Sequence, residues 1–348
     1  RDFMIEHALE RFFGYLNKNK REKHLLLGNG FSMSYDKKIF SYNAFSDFIK
    51  ETDDQLLRKL FGIINTCNFE LIMSQLDVFY KLAVEFVADK GLADKITTAT
   101  KSLKEKLVDA ISELHPEQVF KIPAEQSRNC ALFLKEYLDS DGHIFTANYD
   151  LLLYWVLMSN QEQFNKIVDG FGREYIEKDE YTEDYEPEFG DLEWGPNQEE
   201  QQVHYIHGAL HLFDTGVSII KETYDGEYLL KNIKDRIENK EYPVFVTAGD
   251  GQQKLAHILH NQYLDYGYKQ LSSISGSLVT FGFNFGKYDH HIIDAINKAN
   301  KQDMKEKLWS IYIGVYSEEG KKHIESIIPM FKCKVNLFDA KTVNVWKV

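Results

Sequence analysis

Short apolar runs alternate with longer amphipathic segments along most of this chain. Leu25–Leu27 is an apolar run that is too short for a helix and that stops at a glycine. Runs of the same kind, which we predict to be strands, cover His143–Thr146, Val203–Ile206, Val217–Ile220, Val244–Thr247, Ser277–Phe281, Leu308–Gly314 and Cys333–Phe338. Predicted helices cover Ile5–Leu16, Phe45–Ile64, Phe69–Val87, Lys95–Leu114, Cys130–Leu138, Leu151–Met158, Tyr224–Glu238, His257–Gly267, Tyr268–Ser273, Asp289–Ala299 and Glu318–Phe331. Because strands and helices alternate, the pattern predicts an α/β fold with a mainly parallel sheet.

The first strand is separated from the next clear one by about 100 residues of mostly helical pattern, which is too long for a simple βαβ crossover. We therefore predict a single Rossmann-like, doubly wound α/β domain over residues 1–348, with a large helical insertion over residues 45–140. Residues 174–200 are acidic and rich in turn residues, which predicts a solvated loop. The aromatic residues in this loop indicate that it packs on the domain, as a lid would.

Composition narrows the class of protein. The net charge of −13 argues against a nucleic-acid-binding surface, although backbone amides can still bind a small anion. The three cysteines, Cys67, Cys130 and Cys333, include no CxxC pair, which fits a reducing compartment and excludes a cysteine-rich zinc ribbon. The longest apolar run, Leu151–Met158, is far shorter than the roughly 20 residues of a membrane span. We expect a cytoplasmic protein without a membrane segment.

Four predicted strands end in small or polar residues. These ends are GNGFS at residues 28–32, TANYD at residues 146–150, the His207–Gly208 turn, and GFNFG at residues 282–286. The carboxyl ends of parallel strands line one crevice, where open α/β sheets bind their ligands. Glycines after the first strand permit positive φ and let backbone N–H groups approach a diphosphate. The chain therefore predicts a nucleotide site at this edge of the sheet.

Asn148 and Asp150 follow one of these strands. An asparagine amide there could hold a ligand hydroxyl or a water, but either residue could instead cap the helix that begins with LLLYW. Asp150 is better placed for the cap, which leaves Asn148 as the stronger ligand-binding candidate.

The histidines offer a base but not a metal site. His204, His207 and His211 have helical spacing, but Gly208 and the β-forming neighbours Val203, Tyr205 and Ile206 place them on no common helix face. We therefore predict no metal. His207, at a strand end, has a side chain whose usual pKa suits a general base at neutral pH. His290 and His291 are predicted to be surface or capping residues.

Four short motifs occur along the chain between about Leu25 and Asn284: GNGFSMS, TANYDLL, YIHGAL and FGFNFG. Their order is the order found in sirtuin-like domains, and through these motifs the chain resembles that family. The variants are most similar to the sirtuin-like domains of bacterial anti-phage defence proteins, which generally hydrolyse NAD. Two features depart from deacylating sirtuins: Ala147 stands where that family has glutamine, and the paired CxxC motifs of the zinc module are missing.

The resemblance implies roles for particular residues. Asn148 would contact the nicotinamide ribose, His207 would be the catalytic base, and Asp150 would contact the nicotinamide carboxamide. Gly282 and Asn284 would lie against the adenosine-side ribose. The cofactor-binding loop would comprise Gly28, Asn29, Gly30, Phe31 and Ser32.

The resulting hypothesis is an NAD glycohydrolase that releases nicotinamide and ADP-ribose, with NAD as its substrate and no metal. The resemblance further implies abortive infection by NAD depletion, a homo-oligomer, and a partner ATPase or sensor protein. Three alternatives stay open: an NAD-dependent deacylase, a non-catalytic NAD or ADP-ribose sensor, and a structural subunit of a defence complex.

Overall fold

The computed structural model describes residues 8–36, 69–87, 90–114, 121–176, 188–223, 229–246, 251–301 and 304–347, together with residues 55, 58, 59 and 63. The predicted helix Phe45–Ile64 lies largely outside the described residues. The α-helices are α1 (Leu9–Lys18), α2 (Asn29–Tyr35), α3 (Phe69–Phe86), α4 (Lys90–Leu114), α5 (Ala124–Leu138), α6 (Leu152–Ser159), α7 (Leu229–Glu238), α8 (Gly251–His260), α9 (Gln262–Leu271), α10 (His290–Ala299) and α11 (Glu318–Ile327).

The strands of the described residues fall into three sheets. In chain order they are β1 (Lys23–Leu27), β2 (Ile144–Thr146), β3 (Phe171–Gly172), β4 (Tyr175–Ile176), β5 (Glu188–Phe189), β6 (Leu192–Trp194), β7 (Val203–Tyr205), β8 (Gly208–Asp214), β9 (Ile219–Lys221), β10 (Pro243–Phe245), β11 (Gly276–Phe281), β12 (Leu308–Val315) and β13 (Lys334–Asp339). The main sheet has the order β13-β12-β11-β1-β2-β7, and all of its strand pairs are parallel.

This order is the doubly wound order 3-2-1-4-5-6, in which the direction of winding reverses between β1 and β11. The predicted Rossmann-like α/β fold is confirmed. Leu25, Leu26 and Leu27 of β1 are fully buried at the centre of the sheet. Helix α6 is buried on nearly every side, as its almost continuous apolar sequence requires.

The register aligns four strand ends. Leu27 pairs with Phe281 on one side and with Thr146 on the other, and Thr146 pairs with Tyr205. The turns that follow these strands therefore start at the same height along the sheet, as the sequence predicted.

A second, antiparallel sheet was not predicted. Its strand order is β10-β8-β9-β6-β3, and its longest strand, β8, begins at Gly208, three residues after β7 ends at Tyr205. Part of the predicted acidic loop joins regular structure, since β6 belongs to this sheet and β4 pairs with β5. For those residues the prediction of a loop was wrong. Residues 177–187 lie outside the described part of the chain.

The helices predicted as an insertion differ in what they contact. Helix α5 packs against β1, β2 and α6, so it belongs to a layer that flanks the main sheet, whereas α3 packs against α4. The boundaries 45–140 stay a prediction. No helix among the described residues has both the length and the apolar character needed to cross a bilayer.

Candidate functional site

The glycines after β1 and β11 lie against each other at the reversal point of the sheet. A Cβ atom on Gly28 would come within 2.5 Å of the carbonyl oxygen of Gly282, and one on Gly30 within 2.6 Å of the Gly282 Cα atom. Gly282 itself has a φ of 72°. Glycine is required at these positions because the two loops approach more closely than any side chain allows.

The amides of this glycine contact are already used inside the protein. Gly28 N–H donates to the Phe281 carbonyl (3.0 Å), Gly30 N–H to the Gly282 carbonyl (2.9 Å), and Phe31 N–H to the Gly28 carbonyl (2.9 Å). A diphosphate would therefore have to displace these bonds or use other donors.

Three other residues that were predicted to contact the ligand, two in the loop after β1 and one after β11, have distinct surroundings. Phe31 is buried and its ring centroid lies 5.3 Å from that of Trp346, so it is part of the core. The Asn29 amide nitrogen lies 2.9 Å from the Met33 sulfur. Asn284 is exposed and its carbonyl lies 2.9 Å from Nε2 of His323. The ligand contacts of Phe31, Asn29 and Asn284 stay predictions.

Asn148, Ser32 and Asp150 form a hydrogen-bonded chain that links β2 to α2. The Asn148 side-chain nitrogen donates to the Gly28 carbonyl (2.8 Å) and to Ser32 Oγ (3.2 Å). Ser32 Oγ donates in turn to Asp150 Oδ2 (2.6 Å). The Gly28 carbonyl can only accept, which fixes the orientation of the Asn148 amide. Its described hydrogen bonds all use the nitrogen, so Oδ1 stays available to accept one from a ligand.

Asp150 also contacts the start of the helix that follows it, although the N-cap residue is Leu151 and not Asp150 or Asn148 as one of the alternatives predicted. Its Oδ1 accepts from the Leu152 N–H at 3.0 Å, at the start of α6. Burial raises the pKa of Asp150 to about 6, against the opposing effect of its hydrogen bonds from Ser32 and Leu152. A carboxyl group with this pKa changes protonation close to neutral pH.

His207 lies at the junction of the two sheets. It is buried, and its carbonyl accepts from Val246 N–H at 2.7 Å. The next residue, Gly208, has a φ of 77°, and a Cβ there would lie 2.0 Å from the Val244 carbonyl oxygen. Packing alone therefore explains why glycine follows His207, since β10 passes directly over Gly208; the catalytic interpretation of this pair is a second explanation.

His291 is buried beside His207, so its prediction as a surface or capping residue was wrong; His290 is exposed. The Nε2 atoms of His207 and His291 are 2.9 Å apart, and their rings stack with centroids 5.2 Å apart. The contact arises because α10 packs on α8 and α9, and α9 packs on β7.

A buried ion pair adjoins the two histidines. Lys254 in α8 and Asp289 before α10 are both buried, and Lys254 Nζ lies 2.9 Å from Asp289 Oδ1. Neither residue was a site candidate from the sequence, and nor was His291. The charged run KYDHH at the start of a helix was visible in the sequence, but nothing there indicated that two of its members are buried.

One group of possible metal ligands occurs among the described residues. Atoms of His207, Asp289 and His291 that could ligate an ion lie within 4.8 Å of one another. Lys254 already places a positive charge on the Asp289 carboxylate, which opposes a second cation at the same oxygen.

The other two histidines of the helical-spacing triplet lie elsewhere, and the rejection of a shared helix face is confirmed. His204 is in β7 with Nε2 2.8 Å from Nδ1 of His143, while His211 is in β8 with its ring 4.7 Å from that of Tyr154. A polar depression of about 300 Å³ lies at the opposite, amino-terminal edge of the sheet, where it is lined by Asn165 and Gln202 among other residues.

The fold and the site together define a doubly wound α/β protein with polar side chains at the carboxyl edge of its parallel sheet. The chain belongs to the family described as Domain of unknown function (DUF4917), whose profile matches residues 25–346. A comparison with curated proteins finds no match. The matched range includes every strand of the main sheet except the first two residues of β1.

Proposed function

We propose that this protein is an NAD glycohydrolase. The observation that supports this most is the Asn148 side chain: its amide nitrogen is fixed by Gly28 and Ser32, and its Oδ1 is available at the carboxyl edge of the sheet. An oriented amide oxygen can accept from a ribose hydroxyl or an attacking water. The reversal of strand order beside it is where doubly wound sheets bind nucleotides, and the resemblance to sirtuin-like domains supports NAD in particular.

In the proposed reaction, the bond between C1′ of the ribose and the nicotinamide nitrogen breaks, and its electron pair stays on nicotinamide. Water bonds to C1′ and loses one proton, so the products are nicotinamide, ADP-ribose and a proton. The transition state resembles an oxocarbenium ion, and catalysis consists mainly of orienting the ribose and water around it. Asn148 supplies that orientation, and His207, which contacts His291, takes up the proton.

The test is nicotinamide release from NAD by the purified chain. Asn148→Ala and His207→Ala should each lower the rate by about 10²–10⁴-fold, as expected for the loss of an orienting or acid–base group. Asn165→Ala is the matched control, because Asn165 is exposed at the opposite edge of the sheet. Equal rates in Asn148→Ala and wild type would reject the assignment of Asn148.

A sensor that binds NAD without hydrolysing it is the second candidate. It is favoured by the engaged amides of Gly28 and Gly30 and by the hydrogen bond that occupies Nε2 of His207. A rise in melting temperature with NAD, without nicotinamide release, would support this alternative. Neither binding nor release would reject both.

We propose in addition that the protein self-associates through α3. Four apolar side chains at helical spacing on this helix are exposed: Val78, Phe79, Leu82 and Phe86. Apolar patches of this kind mark interaction surfaces, and a two-fold dimer is the commonest arrangement. Light scattering should show a dimer or larger assembly that Leu82→Glu reduces to a monomer. A monomeric wild type would reject this interface.

A role in defence by NAD depletion, with a partner ATPase or sensor protein, is proposed from the resemblance alone.

A further inference from the structure

The loop that follows β11, residues 282–286, presents a single polar side chain at the carboxyl edge of the main sheet. Asn284 is exposed, whereas its neighbours Phe283 and Phe285 are buried. Among the described residues the Asn284 side chain has no hydrogen-bond partner, since its hydrogen bond uses the backbone carbonyl. An exposed amide at the end of a central parallel strand is available to a ligand.

This presentation of Asn284 is accompanied by backbone strain in the next residue. Phe285 has a φ of 50°, in the left-handed region that only glycine adopts easily. Its buried ring packs edge-on against those of Phe283 and Phe331, with centroids 4.7 and 5.3 Å away. A bulky residue stays in this region only where the surrounding structure holds it there, and such residues concentrate at ligand-binding sites. The outlier therefore points to a loop whose shape has a function.

A histidine of α11 holds this loop from outside. Nε2 of His323 lies 2.9 Å from the Asn284 carbonyl oxygen and 3.2 Å from the Phe285 carbonyl oxygen. Carbonyl oxygens can only accept, so His323 donates its N–H to both. These carbonyls belong to the two peptide planes on either side of Phe285, so the contact fixes the strained torsions between them. Since α11 follows β12, which pairs with β11, the bond joins the ends of two neighbouring strands.

The loop lies on the opposite side of the glycine contact from Asn148. Asn148 donates to the Gly28 carbonyl, and Gly28 lies against Gly282, two residues before Asn284. Dinucleotides lie across a doubly wound sheet at the point where the strand order reverses, with one half on each side. With Asn148 at the nicotinamide ribose, as proposed above, the adenosine half extends toward Asn284.

We infer that His323 is a positioning residue for NAD, which holds Asn284 where its amide hydrogen-bonds the ribose of the adenosine half. The inference rests on the proposed function and adds to it a determinant of substrate binding. Asn284 contacts the ligand, and His323 acts only through the backbone of Asn284 and Phe285. Neither residue reaches the glycosidic bond, so both should affect the binding of NAD and not the chemical step.

The test compares NAD with nicotinamide mononucleotide, which has the same glycosidic bond and lacks the adenosine half. His323→Ala and Asn284→Ala should each raise KM for NAD by about 3–10-fold, as for the loss of one hydrogen bond, with kcat unchanged. Turnover of nicotinamide mononucleotide should stay at the wild-type kcat/KM, which also shows that the variants fold. His323→Gln keeps a donor and should restore most of the affinity for NAD. Lys322→Ala is the matched control, because Lys322 is exposed on the same turn of α11.

A double variant separates positioning from direct contact. If His323 acts through Asn284, adding His323→Ala to Asn284→Ala should raise KM for NAD no further. Two losses that multiply would overturn the inference, and so would a wild-type KM in His323→Ala or equal losses with both substrates.

Failure of the proposed function would look different. A wild type that binds NAD without releasing nicotinamide would reject the hydrolase, and dissociation constants of NAD and nicotinamide mononucleotide from titration calorimetry would then decide the role of His323 by the same comparison. A wild type that binds neither compound would reject both the proposed function and this inference.

Discussion

Asp150 should make the stability of this protein depend on pH in a direction opposite to that of most carboxylates. Its pKa is about 6 in the folded chain and 3.8 as the ordinary value of aspartate. The folded state therefore binds the proton more tightly than the unfolded state does. The stabilisation that comes from protonated Asp150 is complete below pH 3.8 and is lost as the pH rises through about 6.

The magnitude follows from the two pKa values. Each pKa unit corresponds to 1.36 kcal/mol, so ionised Asp150 costs at most about 3 kcal/mol of folding free energy above pH 7. The side chain keeps part of its surface accessible, which makes this an upper limit. Asp150→Asn preserves shape and removes the titration. Asn can still accept from Leu152 N–H, and the Ser32 hydroxyl can rotate to accept from the new amide.

The assay is the free energy of unfolding in urea for wild type and Asp150→Asn between pH 4.5 and pH 8. The difference between the two proteins cancels every other titrating group they share. Relative to the variant, wild type should lose about 2 kcal/mol of stability as the pH rises from 4.5, because the rest of the change lies below pH 4.5, and the difference should level off above pH 7. A difference that stays constant across this range would refute the reasoning about Asp150.

Three further outcomes are expected. Gly282→Ala should fail to fold or should lose several kcal/mol of unfolding free energy in thermal unfolding, because its Cβ would lie 2.3 Å from the Phe31 amide nitrogen. Gly216→Ala is the control: it has a similar φ of 81° and no atom within 4 Å, so it should cost only about 1 kcal/mol of backbone strain. Burial lowers the pKa of His204 well below its usual range, so the neutral imidazole stabilises the fold above pH 6.5 and this stabilisation is lost on acidification. His204→Phe should therefore lose less stability than wild type as the pH falls from 7 to 5. Parallel curves of stability against pH would contradict this. Lys254→Met should destabilise the fold by about 3–5 kcal/mol, because it leaves the buried Asp289 carboxylate without its partner. Adding Asp289→Asn should recover most of that loss. A double variant as unstable as Lys254→Met would contradict a contribution of the ion pair to stability.

The sequence located the parts of the site that depend on strand ends. The apolar run Leu25–Leu27 and the glycines after it predicted a central strand and a tight turn, and TANYD, the His207–Gly208 turn and GFNFG predicted three more ends at one edge. The register confirms that these four ends are level. The sequence also placed Asp150 next to the start of a helix, where it accepts from the Leu152 N–H, because contacts in the first turn depend on residues that are neighbours in the chain.

The contact between the imidazoles of His207 and His291 could not be predicted. His207 and His291 are separated by 84 positions, and no local pattern relates them. Their contact depends on how α8, α9 and α10 pack over the edge of the sheet. The glycine contact between Gly28 and Gly282 is similar: the sequence suggested amides that face a diphosphate, whereas the structure uses these amides to join two loops.

Periodicity and turn chemistry are local properties, so the sequence by itself determined the class of fold, the central strand and the positions of Asn148 and His207 at strand ends. The strand order, the second, antiparallel sheet, and the burial of Lys254, Asp289 and His291 were decided only by the tertiary structure. These features depend on contacts between segments far apart in the chain, where burial and hydrogen bonding, not local propensity, select among the possible arrangements.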